Sequence, residues 1–412
     1  MSIKALSFFM LAICAGCGDN GSTTTAEVAA TTETSETPTT SVIPDIDISG
    51  SANGVVAVPV NAQPVMRDIF DKYTKVVAPN DKPIHIFATS GVSEAQTTRA
   101  RRIMEFILKD APGTQYGSDK AVVANALADQ EATLVYFDTE GQSFANRDRV
   151  AGLGMAVQDL YATESPVEGS SGYQNNGIRD AAYEEIFHLV HDAGIVTSLP
   201  AFHAEIIEAE QLATAAGLYR YDDPEGAPYE YVISCIDIYY GMWAHQTEGP
   251  SFGDEYDPWT PENLQTLDPA CYGLVEKFFP PFLDLTVYLD ESFADDTFEL
   301  TFNEAKPYTL KSKFMKNVTL TGINLSNVLG NELDNVLTGN SSDNQLTGGS
   351  GDDTIDGGDG SDTAVFSGTS TEYTIITNDG ESIITDNISG RDGIDTIRNV
   401  ELLHFSDTAM SL

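Results

Sequence analysis

The chain has 412 residues, enough for two or three domains once flexible segments are set aside. It carries 63 Asp and Glu against 21 Lys and Arg, a formal net charge of −42. A field of that sign repels nucleic acid and anionic membrane surfaces and attracts divalent cations, so no nucleic acid is expected as a partner and a saline, calcium-containing medium suits the protein. The same charge also serves solubility in a salt-adapted proteome, and composition alone does not separate the two.

At the N-terminus, Met1, Ser2, Ile3 and Lys4 precede an apolar run over 5–16, too short for a permanent membrane span and right for a signal peptide. The chain is therefore expected to be exported. The run ends in Cys14-Ala15-Gly16-Cys17, which resembles the lipobox of bacterial lipoproteins, with Cys14 where that family prefers Leu. The resemblance implies that residues 1–17 form the signal, that Cys17 is acylated, and that the protein is anchored to a membrane through this lipid. Gly18 in place of Asp fits an outer-membrane or cell-surface destination; without acylation the chain is extracellular. Residues 18–54 are rich in Thr, Ser and Glu, cannot bury a core, and read as a disordered tether.

From 55 to 305 the pattern becomes that of an α+β domain, mostly helical in its second half. Strands are expected at 84–88 and 132–137, and helices at 94–109, 119–128, 178–193, 203–218 and 231–243. Cys235 and Cys271 are the two cysteines left for a disulfide in an oxidising compartment.

The helix from Tyr183 to Gly194 carries the chemical signal. At helical spacing Glu184, His188 and His191 fall in one stripe, and Glu185 and Asp192 in the next. The stretch resembles the zincin motif His-Glu-x-x-His with Glu184 in place of the first histidine. That resemblance implies Glu184 and His188 as ligands of zinc, Glu185 as the catalytic base, and an acidic third ligand from a later helix, for which Asp237 is the first choice and Glu230 the second. Two carboxylate ligands would lower the metal's Lewis acidity and also suit another transition metal, manganese or iron. Glu164, Asp222 and Asp223 are candidates for supporting acids. A looser resemblance, over about 84–243, is to secreted proteins of unassigned activity that share Glu-Glu-x-x-His followed by Tyr219-Arg-Tyr-Asp-Asp-Pro224. Glu and His on an exposed helix face are, against all this, commonly just solvated charges.

Four nine-residue units run without a slip from Gly330 to Val365, beginning at Gly330, Gly339, Gly348 and Gly357. Such a period means one repeated structural unit. Six positions rich in Gly, Asn and Asp form a turn, and three form a short strand with one inward apolar residue: Leu337, Leu346, Ile355 or Ala364. Position six carries Asn335, Asn344, Asp353 and Asp362. Oxygen atoms stacked at one corner beside backbone carbonyls suit Ca2+. The units resemble the RTX or hemolysin-type repeat, closely over Gly348, Gly349, Gly351, Asp353, Gly357, Gly358, Gly360 and Asp362 and less closely before them. The resemblance implies an all-β parallel β-roll, placed here at 306–368, that folds as calcium binds. Successive turns lie on opposite sides, so Asp353 shares an ion with the Asn335 turn and Asp362 with the Asn344 turn, each site pairing one carboxylate with one amide.

Strands at 373–377 and 382–385 and the segment 392–407, which resembles the end of many RTX proteins, make 369–412 a β-rich cap on the open edge of the roll. The chain therefore reads as an exported, lipid-anchored calcium-binding surface protein with a metal-dependent, peptidase-like hydrolase domain acting on a peptide. Its rivals are a non-catalytic adhesin or scaffold that recognises a surface ligand, and a divalent-metal capture protein.

Overall fold

The computed structural model describes residues 43–242, 255–293 and 295–412. The signal, the lipobox, Trp243 and most of the tether lie outside the described residues. No helix among the described residues is long and apolar enough to cross a membrane.

The tether gives way to packed chain earlier than its composition suggests. Ile43 and Ile46 are buried beside Phe70 and Tyr73. The alternating isoleucines at 43, 46 and 48 supply apolar area that the Thr/Ser/Glu run before them lacks.

The first half of the domain is a layered α/β unit in place of the expected α+β arrangement. Its sheet runs β1 (Val56–Ala57), β2 (Lys72–Val77), β3 (Pro83–Ala88), β4 (Thr133–Phe137) and β5 (Val157–Tyr161) in that spatial order. β1, β2 and β3 pair antiparallel, whereas β3, β4 and β5 pair parallel through helical crossovers. Parallel strands joined by helices are covered on both faces, which is why every residue of β4 is buried. One face (Ile84, Ile86, Leu134, Tyr136) packs against the helix Glu94–Leu108, and the other (Phe87, Val135, Phe137) against Met66, Phe70 and Val150. Ser93 starts that helix with a capping box, its hydroxyl accepting from the Gln96 amide and its own amide donating to the Gln96 side chain.

The second half is helical, as expected, with Ala182–Leu189, Pro200–Ala215, Ala227–Tyr239 and Pro269–Phe278. Cys235 and Cys271 form a disulfide that ties the last two together.

The roll begins at residue 283, before the repeats themselves, because non-repeat strands supply its first coil. One sheet holds β6 (Leu283–Leu289), β8 (Met315–Leu320), β10 (Val336–Thr338), β12 (Thr354–Asp356) and β16 (Ile394–Arg398), all parallel. The facing sheet holds β7 (Thr297–Glu299), β9 (Asn327–Leu329), β11 (Gln345–Thr347), β13 (Thr363–Val365) and β17 (Leu402–His404). Leu337 pairs with Ile355 and Leu346 with Ala364, eighteen residues apart, so two nonapeptides make one coil. All four inward residues are buried, together with Val318, Val328, Ile397 and Leu403. Beyond the repeats, the hairpin β14 (Tyr373–Asn378) and β15 (Glu381–Asp386) adds antiparallel to β16, and β18 (Ala409–Ser411) adds antiparallel to β17. Both sheets thus end on a reversed strand, which blunts the edges.

His85, on β3, is 1% exposed and hydrogen-bonds to the Tyr73 hydroxyl at 2.9 Å. Burial, reinforced by Lys75, holds its pKa down at about 4 against an ordinary 6.5. The unfolded chain then binds the extra proton, so this contribution to stability is complete above pH 6.5 and is lost as pH falls toward 4. On the order of 3 kcal/mol of stability should disappear across that window. Chemical denaturation at several pH values should show His85→Asn with a shallower decline than the parent chain.

Candidate functional site

The helix Ala182–Leu189 packs against β5 and against Ala227–Tyr239, and these contacts gather three ligand atoms. Glu184, His188 and Glu230 each place one donor atom within 4.8 Å of the others. His188 Nε2 lies 3.6 Å from Glu230 Oε1, and Glu184 is ion-paired with Arg179. Glu230, the second choice from the sequence, therefore occupies the place expected of Asp237. Asp237 is fully buried two turns further along the same helix, about 10 Å away along its axis, and is not one of the three. A tetrahedral ion with bonds of about 2.0–2.2 Å needs ligand atoms closer than about 4.4 Å, so small side-chain adjustments would let the trio fit one.

Glu185 faces β5, where its Oε2 accepts from Gln158 Nε2 at 2.6 Å. Burial and then the negative neighbours Glu164, Asp159 and Glu230 push its pKa well above the carboxylate range, and burial raises Glu164 to about 7. Glu164 lies within electrostatic reach of Glu185. Asp222 and Asp223 shape the turn before Ala227, where the Asp223 side chain accepts from the Glu225 amide. Asp159 was not singled out from the sequence, since a lone acid on a strand gives no signal of what it will face. It accepts from the Ser143 and Tyr161 hydroxyls.

His191 leaves the stripe that helical periodicity assigns to it. The helix widens into a π segment over Val190–Ile195, and the extra residue per turn rotates His191 into the core. There its Nε2 lies 3.0 Å from His203 Nδ1, between the rings of Phe187 and Tyr229.

In the roll, the turns stack in two columns. The Asn335 amide donates to Asp353 Oδ1 at 2.8 Å, and the Asn344 amide to Asp362 Oδ1 at 2.7 Å, the pairings expected from the period. The second oxygens, Asp353 Oδ2 and Asp362 Oδ2, are buried without a hydrogen-bond partner. Burial raises these carboxyls to about 7 and about 6. The asparagines satisfy themselves differently: Asn335 Nδ2 donates to the Lys316 carbonyl and Asn344 Nδ2 to that of Ser326.

Residues 329–364 match the RTX calcium-binding nonapeptide repeat in four copies. No curated protein matches the chain. Among solved structures, the extracellular lipase LipA from Serratia marcescens is similar over 82% of this chain and 55% of its own, at 11% identity and a TM-score of 0.19. The chain spans about half the length of that lipase, and a TM-score so low carries no statement about this chain's fold or chemistry. The family match is confined to the roll and gives the zincin resemblance of the middle domain no support. The chain therefore carries calcium-binding RTX repeats in its roll, with Ca2+ as their cofactor.

Gly358 adopts φ +91°, and a Cβ there would stand 2.5 Å from the Asn340 carbonyl oxygen of the preceding coil. Gly358→Ala should weaken calcium binding by tenfold or more, read by calorimetric titration. Circular dichroism of the parent chain should show β-structure appearing as calcium is added.

Proposed function

We propose that the protein is an exported surface protein whose calcium-loaded roll supports an α/β domain with a metal-dependent hydrolytic centre of peptidase type. The observation that carries this reading is the convergence of Glu184, His188 and Glu230 from two helices, with Glu185 on the neighbouring stripe. Export is supported by the N-terminal apolar run and by the disulfide, which belongs to an oxidising compartment. The lipid anchor at Cys17 belongs to the same proposal.

Glu184, His188 and Glu230 would hold zinc or another transition metal, which would supply Lewis acidity to polarise a carbonyl and activate water. Their two negative charges against one imidazole also suit manganese or iron. Glu185 is the residue to accept a proton from the attacking water, and Gln158 fixes its carboxyl by holding Oε2. Glu164 lies within electrostatic reach of Glu185 and can share the proton load. Arg179 neutralises Glu184 as the chain stands and would have to release it for the centre to load.

Two observations favour the rival reading of a non-catalytic adhesin or scaffold. Arg179 is already ion-paired with one ligand, and a groove of about 950 Å3 lies elsewhere, between the helix Glu94–Leu108 and β6, sharing no residue with the trio.

Elemental analysis of the purified chain separates the two. The hydrolase reading expects about one transition metal per chain, lost in Glu230→Ala and kept in Asp237→Asn. Glu185→Gln should retain the metal and lower peptide turnover at least a hundredfold. A chain that binds no transition metal would leave the scaffold.

A further inference from the structure

The groove of about 950 Å3 between the helix Glu94–Leu108 and β6 is walled on one side by a single polar stripe of that helix. Glu94, Thr98, Arg101, Arg102, Glu105 and Lys109 recur there at intervals of three and four residues. The opposite wall is the outward face of the roll's first coil, where β6 turns Val287 and Leu289 inward and leaves Thr286 and Tyr288 facing the helix.

Charge changes sign along this groove. At one end Lys109 is ion-paired across it with Asp284. Further along, the Arg102 guanidinium lies 4.4 Å from the centre of the Tyr288 ring. These two contacts run the helix antiparallel to β6, which carries Glu94 and Asp290 to the same far end.

The charges at two of these places are left without partners. Arg101 pairs with Glu105, but Arg102 forms no ion pair among the described residues, and its Nε is buried with no hydrogen-bond partner. Glu168, the acid that attracts Arg102, is already held by Arg99. A half-buried cation in that position gains from an anion brought against it. Glu94 and Asp290 likewise form no ion pair among the described residues, although both line the groove. Thr98 and Thr321 also line it, and their hydroxyls already donate to the Glu94 and Leu289 carbonyls, so what they present to a ligand is lone pairs for an N–H.

We infer that this groove binds a short zwitterionic peptide, its C-terminal carboxylate on Arg102 and its N-terminal ammonium at Glu94 and Asp290. Eight helical residues separate Glu94 from Arg102, about 12 Å along the axis. An extended chain of three or four residues spans about 10–14 Å, which sets the length of the ligand. The exposed Tyr288 ring offers apolar surface to a side chain near the carboxylate. A polyanion would meet Glu94 and Asp290 and a polycation would meet Arg102, so a ligand of one sign throughout is disfavoured. The inference does not rest on the hydrolytic reading, because the groove and the trio share no residue.

The test is calorimetric titration of the calcium-loaded full chain with trialanine and tetra-alanine, each free, C-terminally amidated or N-terminally acetylated. One of the free peptides should bind with saturation at one per chain. Blocking either terminus should weaken it about tenfold or more. In Arg102→Gln the amide should cost less than twofold, and in the double variant Glu94→Gln, Asp290→Asn the acetyl group should cost less than twofold. Binding should persist in Glu230→Ala, so loss of the metal trio and loss of the groove are separate results. Absence of saturable binding by either free peptide up to about 10 mM, or equal binding of free and blocked peptides, would overturn the inference. The comparison of free with blocked peptides on the parent chain decides by itself should a variant fail to fold.

Discussion

A main-chain N–H on one coil donating to a side-chain carboxylate on the next, with the second carboxylate oxygen left unpaired in the interior, is the interaction that organises the C-terminal third of this protein. It fixes the spacing of the coils, since the donor and acceptor are eighteen residues apart within the repeats. It also creates a deficit. A buried carboxylate oxygen without a partner costs free energy that a proton or a cation can offset, and both Asp353 and Asp362 are in that position. The four inward residues supply apolar burial but no ordering of the turns. Three-residue strands are too short to hold a sheet on their own, so the corners govern whether the coils stack.

The α/β domain shows the opposite economy. Its carboxylates are drawn together by helices that pack for apolar reasons, and the charge is a by-product of where Ile186, Phe187 and Tyr231 must go. The π segment after His188 belongs to the same account. It removes His191 from the cluster and sets it against His203, leaving a single imidazole facing two glutamates. The disulfide between Cys235 and Cys271 then braces the helix that presents Glu230.

What the sequence makes legible follows from how local the signal is. The repeats could be read to the residue, including which turn faces which, because each unit contains its own turn glycines and its own inward residue. The parallel sheet of the middle domain was harder to see: β4 and β5 are five residues each, and only their tertiary neighbours make them parallel. Periodicity placed Glu184 and His188 on one face correctly. It could not place His191, because an inserted π turn leaves no mark in the residue pattern. Nor could it choose between Glu230 and Asp237, which are seven residues apart and share a helix face, since the choice depends on how far along that helix the partner helix crosses. The pairing of β16 with β12 was not legible, because 42 residues separate Ile355 from Ile397.

That distance has a further meaning for the roll. The coil leaving β12 returns to its neighbour after 42 residues in place of 18, yet strand register, the positive φ shared by Gly351 and Gly393, and the amide-to-carboxylate rungs resume. The extra length leaves as the hairpin β14–β15, whose tip at Asp379 and Gly380 is exposed. A scaffold that tolerates such a detour is a natural host for grafted peptides: foreign sequence threaded into that tip would be displayed at the rim of the solenoid without disturbing the staircase beneath it.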